Sequence, residues 1–142
     1  MGILQGVLGN NMSEVSLESL EKEFGMYLMT GEKIQTGFKL VRDSMVITDK
    51  RILEFDYQGA TGKKCRVESI NLGTIFNVSA ETAGFGVDDS ELEIWYITTP
   101  NMRANNVEYK TKKFEFPKKY DVRELYRMLQ ELAYENFQHL NK

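Results

Sequence analysis

The sequence holds one cysteine, Cys65, one histidine, His139, and two prolines, Pro100 and Pro117. A single cysteine excludes an intramolecular disulfide and any multi-cysteine metal site. With one histidine, three residues from the C-terminus, a Ser-His-Asp or Cys-His constellation would have to be built from the chain end. No apolar run approaches the roughly 20 residues of a membrane-spanning helix. No basic stretch leads into an apolar segment of signal-peptide length. Met1-Gly2 opens like an acylation signal, but Gly6 stands where Ser or Thr is wanted. The net charge of -3 lacks the basic excess of a general nucleic-acid binder. These absences predict a cytoplasmic protein without metal, cofactor or nucleic-acid partner, and not an enzyme.

What remains is ordinary globular composition, 42% hydrophobic and 27% charged over 142 residues, which fits one domain. Residues 1–11 are small, apolar and glycine-rich, and read either as a docking tail or as a frayed end. Leu17, Leu20, Phe24, Tyr27 and Leu28 then recur at helical spacing, with Ser13 or Ser16 as N-cap and Gly31 as the stop. From 31 to 117 the period becomes two. Strands are expected near 32–42, 45–49, 52–57, 64–71, 74–81, 90–98 and 107–116, separated by Gly-, Asp- and Asn-rich turns. Seven short strands with no helix between them predict an antiparallel sandwich or barrel. After Pro117, Asp121 and Glu124 have the spacing of a capping box. Val122, Leu125, Leu129, Leu132, Ala133, Phe137 and Leu140 form an apolar stripe that must be buried, most simply over the open end of the sandwich. The expected division is a tail and helix over 1–30, a β-sandwich over 31–117 and a capping helix over 121–140.

No motif in this frame carries catalysis. Cys65 alternates in phase with Val67 and reads as a small buried hydrophobe. Asp88, Asp89, Glu91 and Glu93 lack the glycine and oxygen spacing of a calcium loop. The run Gly59-Ala60-Thr61-Gly62-Lys63-Lys64 has two residues between its glycines where a phosphate-binding loop needs four, and a strand follows where a helix should. It reads as a glycine-rich hairpin turn, with Lys63 and Lys64 as candidate contacts for an anion.

Charge is unevenly placed. Residues 14–32 hold Glu14, Glu18, Glu21, Glu23 and Glu32 against Lys22, whereas 103–119 hold Arg103, Lys110, Lys112, Lys113, Lys118 and Lys119 against Glu108 and Glu115. The segregation reads either as two solvated faces, with lysines guarding an edge strand, or as head-to-tail contact between copies.

Several segments resemble the bacterial pleckstrin-homology-like family. They are Thr36 to Asp43, Thr48-Asp49-Lys50-Arg51-Ile52-Leu53, the opening Met1-Gly2-Ile3-Leu4 with Leu8-Gly9-Asn10, the turn Gly59 to Lys64, Ser79 to Gly84, and Glu91-Leu92-Glu93-Ile94-Trp95. The resemblance spans the chain. It implies a seven-stranded bent sandwich, mainly β, closed by a C-terminal helix. It also implies cyclic homo-oligomers with a hydrophilic surface where neighbouring subunits meet, in a family without an assigned biochemical role. Relatives with an additional C-terminal helical hairpin form larger assemblies; a chain stopping at Lys142 suits a compact five-fold ring. Phosphoinositide binding is not expected, because Arg42-Asp43-Ser44 is too tight a turn to wrap a headgroup.

Two readings follow. In the first, a homo-oligomer recruits an unidentified protein through Asp49, Lys50, Arg51, Glu81 and Thr82. Replacing Lys50 and Arg51 together by Glu is then expected to abolish capture without unfolding. In the second, the apolar tail and basic last strand make a peripheral membrane or anionic-ligand module.

Overall fold

The computed structural model describes residues 15–58, 62, 64–83 and 89–142. The seven strands are β1 (Ile34–Lys39), β2 (Ser44–Thr48), β3 (Arg51–Gln58), β4 (Lys64–Asn71), β5 (Ile75–Glu81), β6 (Ser90–Ile97) and β7 (Tyr109–Phe116). They form two antiparallel sheets, β1-β2-β3-β4 and β5-β6-β7. Two helices flank them, α1 (Leu17–Phe24) and α2 (Arg123–Leu140).

The inner faces of both sheets and one face of α2 share the main core. Phe38, Met45, Ile47 and Ile52 from the first sheet meet Ile75, Val78, Leu92, Ile94, Phe114 and Phe116 from the second. α2 lies along β5 and adds Leu125, Met128, Leu129, Leu132 and Ala133. Asn136 fixes it there, its side-chain amide donating to the carbonyls of Leu72 and Ile75 at 2.8 Å. The expected stripe is buried along most of its length, but not at Phe137, which is 56% exposed. Helix periodicity continues past the point where β5 ends its cover.

A second core lies on the opposite face of the first sheet. Leu20 and Phe24 of α1 pack on Ile34, Val46, Leu53 and Phe55. The Phe24 and Phe55 rings stack at 4.0 Å. Strands β2 and β3 are therefore buried on both faces, and this explains the apolar runs Met45-Val46-Ile47 and Ile52-Leu53, which simple alternation does not. Gly37 on β1 permits the close approach of α1: a Cβ there would stand 2.6 Å from Leu20 Cδ2.

α1 is shorter than its apolar pattern. It stops at Phe24, a 3-10 turn takes Gly25–Tyr27, and Gly31 serves a separate turn at φ 81°. Ser16 is the N-cap, its Oγ accepting from the Ser19 amide at 3.3 Å, while Ser13 lies outside the described residues. At α2 the capping position is Val122, without a side-chain cap; Asp121, one residue earlier, accepts from the Arg123 amide at 3.0 Å.

The sandwich has two distinct ends. At one, the Leu72 amide donates to the Lys50 carbonyl at 2.9 Å, which joins the β2–β3 turn to the start of β5. The last turns of α2 lie here, beside Asn136. At the other end are Glu81, the start of α2, and the link from the Val41 amide to the Glu115 carbonyl at 3.0 Å.

Candidate functional site

The β2–β3 turn carries Asp49, Lys50 and Arg51. Thr48 builds it: its hydroxyl oxygen accepts from the amides of Lys50 (3.0 Å) and Arg51 (2.8 Å), and the hydroxyl donates to Glu32 at 2.6 Å. Asp49 Oδ1 accepts from the Lys33 amide at 3.0 Å, tying the turn to the start of β1. Lys50 is exposed.

Arg51 has a different situation. Its guanidinium grips Glu32 through Nε (2.9 Å) and Nη2 (2.7 Å), and Nη2 also donates to the Tyr27 carbonyl at 3.1 Å. The Arg51 side chain is 13% exposed and that of Glu32 is 0%. The bidentate Arg51 contact, outweighing burial, holds the Glu32 carboxyl down at about 2. Glu32 thus belongs to the fold rather than to an acidic surface, and Arg51 is spent on clamping it. The expectation that Lys50 and Arg51 can both become Glu without unfolding is overturned, since Arg51→Glu would set a second carboxylate against a buried one. Only Lys50 of that pair is a clean probe.

Glu81 ends β5 and Thr82 follows it, both exposed. Across the sheet Glu81 is in register with Glu91, and Glu91 with Glu115. Thr82 opens on a groove of about 370 Å³ lined by Ser90, Lys118, Lys119 and Arg123. Asp49–Arg51 and Glu81–Thr82 stand at opposite ends of the sandwich, separated by the length of β5, roughly 20 Å. One chain does not bring them together. Lys64 is exposed at the start of β4, and Lys63 lies outside the described residues.

The basic segment is also less uniform than its composition. Lys112 points between the sheets and bridges Glu54 (2.5 Å) and Glu68 (3.2 Å), two carboxylates directly opposed on β3 and β4. Burial pulls the ammonium down, but Glu54 and Glu68 more than offset it, and Lys112 is held above its usual range. Asp43 joins the cluster from the β1–β2 turn. Burial, then Glu54 and Asp56, push its carboxyl up to about 6. Lys113 pairs with Glu91 at 3.5 Å. The inward turn of Lys112 has a signal in sequence, its shared phase with Phe114 and Phe116.

The remaining candidates for chemistry stay apart. His139 is exposed in the last turn of α2, and Cys65 is half-buried against the second core. Asp88 lies outside the described residues, as does most of the turn 59–63. Among the described residues no three His, Cys, Asp or Glu side chains gather to hold a metal, and no helix is long and apolar enough to cross a membrane.

Comparison with known proteins fits this architecture. Residues 2–133 match the bacterial PH domain family, and the chain belongs to it. Uncharacterized protein YjqA of Bacillus subtilis is 47% identical over 95 residues, 67% of this chain and 75% of that protein. A pleckstrin-homology domain from Shewanella amazonensis SB2B superposes with a TM-score of 0.63 at 34% identity, covering 93% of this chain and 98% of its own. A family protein with a pleckstrin-homology domain from Shewanella loihica PV-4 does so with a TM-score of 0.63 at 30% identity, covering 88% and 99%. A PH-domain-containing protein from Exiguobacterium sibiricum, at 21% identity and TM-score 0.67, shares the fold over 90% of this chain and 65% of its own. The family and these relatives point to a non-catalytic module.

Proposed function

We propose that the protein is a non-enzymatic, cytoplasmic, homo-oligomeric binding module that recruits another protein through a polar surface formed where adjacent subunits meet. The observation that carries this reading is the separation of Asp49–Lys50 from Glu81–Thr82 by the length of β5. A surface that uses both needs two copies placed end to end, and repetition of such a heterologous contact closes a ring when the rotation between copies closes. Exposed Lys50 at one end and the Glu81, Glu91 and Glu115 row at the other have opposite charge.

The test is mass by light scattering coupled to size exclusion, at low and high salt. A discrete multiple of the 16.4 kDa chain is expected, loosened by salt. Lys50→Glu and Glu81→Lys should each lower that mass, and the double variant should restore it. A monomer at every concentration, or masses indifferent to both reversals, would overturn the proposal.

A second reading rests on the groove beside Thr82, where Lys118 and Lys119 gather at the start of α2 next to Arg123, whose guanidinium pairs with Asp121 at 2.8 Å. It makes the protein a binder of anionic ligands or of an anionic membrane surface. Sedimentation with phosphatidylserine vesicles at low salt tests the membrane form, and failure to sediment removes it; titration with inorganic phosphate followed by calorimetry tests the ligand form, and absence of heat removes that.

A further inference from the structure

The outer face of the second sheet has no cover among the described residues. Cross-strand register puts Trp95 opposite Thr111 and Ile97 opposite Tyr109 on this face, while Leu92, Ile94, Phe114 and Phe116 point inward. At the end of the sandwich near the β2–β3 turn the face deepens into a groove of about 430 Å³. Phe76, Ile97, Val107 and Tyr109 form one wall, and Phe137 and Leu140 of α2 the other. Phe76 meets Tyr109 edge-on at 5.7 Å, and Tyr134 stacks on Phe137 at 6.1 Å. Tyr109 and Phe137 remain 59% and 56% exposed. Exposed aromatics in contact with one another around a concavity are the usual mark of an interaction site.

The same sequence supplies a segment of matching chemistry. Residues 1–13 carry no charged side chain and hold Met1, Ile3, Leu4, Val7, Leu8 and Met12. Ile3, Leu4, Val7 and Leu8 recur at intervals of three and four, the anchor spacing of groove-binding segments. Where this segment joins the domain decides which groove it meets. Val15 is fixed by its amide to the Gly37 carbonyl at 3.0 Å, and from there α1 and the 3-10 turn after it run toward the β2–β3 turn, where Tyr27 meets Arg51. Val15, the first described residue, lies on the outer side of the first sheet, whereas the groove lies on the outer side of the second sheet and beside the turn. Both sheets of the sandwich stand between Val15 and the groove.

We propose that the N-terminal segment of one copy, through Ile3, Leu4, Val7 and Leu8, occupies the Phe76–Tyr109–Phe137 groove of a second copy. This rests on the homo-oligomeric reading and gives it a specific contact. The contact is head-to-tail, so it propagates from copy to copy.

The test uses two full-length variants. Leu4→Ser with Leu8→Ser disables the segment and keeps the groove. Phe137→Glu disables the groove and keeps the segment, and Tyr109→Glu is the alternative if Phe137→Glu fails to melt cooperatively. Each alone should run as a 16.4 kDa monomer by light scattering. Mixed in equal amounts they should form a species of twice that mass that grows no further, because only one segment–groove pair remains intact. A mixture that stays monomeric, or a segment variant that keeps the wild-type mass, overturns the proposal. The second outcome would leave the oligomer itself standing, whereas a wild-type chain monomeric at all concentrations would overturn both.

Discussion

The two sheets differ in what lies on their outer faces. The first is covered: α1 places Leu20 and Phe24 on Val46, Leu53 and Phe55, and the Glu32–Arg51 clamp holds the following turn at Tyr27 against the sheet. The second faces outward with Glu81, Glu91 and Glu115 toward one end and Phe76, Ile97 and Tyr109 toward the other. Antiparallel sheets tolerate one uncovered face when that face is polar. Half of this one is. The chain closes one outer face with its own helix and leaves aromatics exposed on the other.

That contrast sets the scale of mutational effects. The largest belong to the covered face. Phe55→Ala removes a fully buried ring stacked on Phe24 and should cost about 3–5 kcal/mol by denaturant unfolding. Arg51→Ala leaves the Glu32 carboxylate buried without its cation and should cost about 3 kcal/mol. A stability near wild type for either would mean that the α1 cover is dispensable. Gly37→Ala drives a methyl into Leu20, whose side chain is itself packed, and about 1–3 kcal/mol is expected.

Acid separates the contributions further. Glu32 titrates at about 2 in the fold against an ordinary 4.5, so its stabilisation is complete above about 4.5 and is lost as pH falls toward 2. Asp43 has the opposite sign. Its folded value of about 6 exceeds its ordinary 3.8, so ionising it costs stability as pH rises from about 4 through 6. Acidifying from pH 7 to pH 5 should raise the melting temperature slightly before the Glu32 loss sets in. Asp43→Asn should remove the rise and leave the later fall, and a rise that survives the substitution would assign it to another group. The smallest effect belongs to the uncovered face: Phe137→Ser should change stability by less than about 0.5 kcal/mol, measured at a protein concentration low enough to keep the chain monomeric.

Much of the architecture was legible in the residues. Period-two patterning and turn residues located all seven strands to within a few positions, and Pro117 separated the last strand from α2. Failures occurred where a side chain's role depends on a distant partner. Glu32 counted as one of a row of surface acids, and Arg51 as a turn residue open to a partner; they find each other across 19 positions. Lys112 counted toward a basic strand, but its alternation with Phe114 and Phe116 aimed it at Glu54 and Glu68. Phe137 continued a stripe that α2 has no surface left to bury.

The sequence by itself determined the local events: which segments are strands and helices, and where they turn. These follow from periodicity and backbone chemistry within a few residues of each position. Only the tertiary structure decided which charges pair, which outer face is closed, and that Asp49–Lys50 and Glu81–Thr82 lie at opposite ends of one sandwich. Those outcomes depend on which strands become neighbours and on how far each helix reaches, and both are settled by packing between residues far apart in the chain.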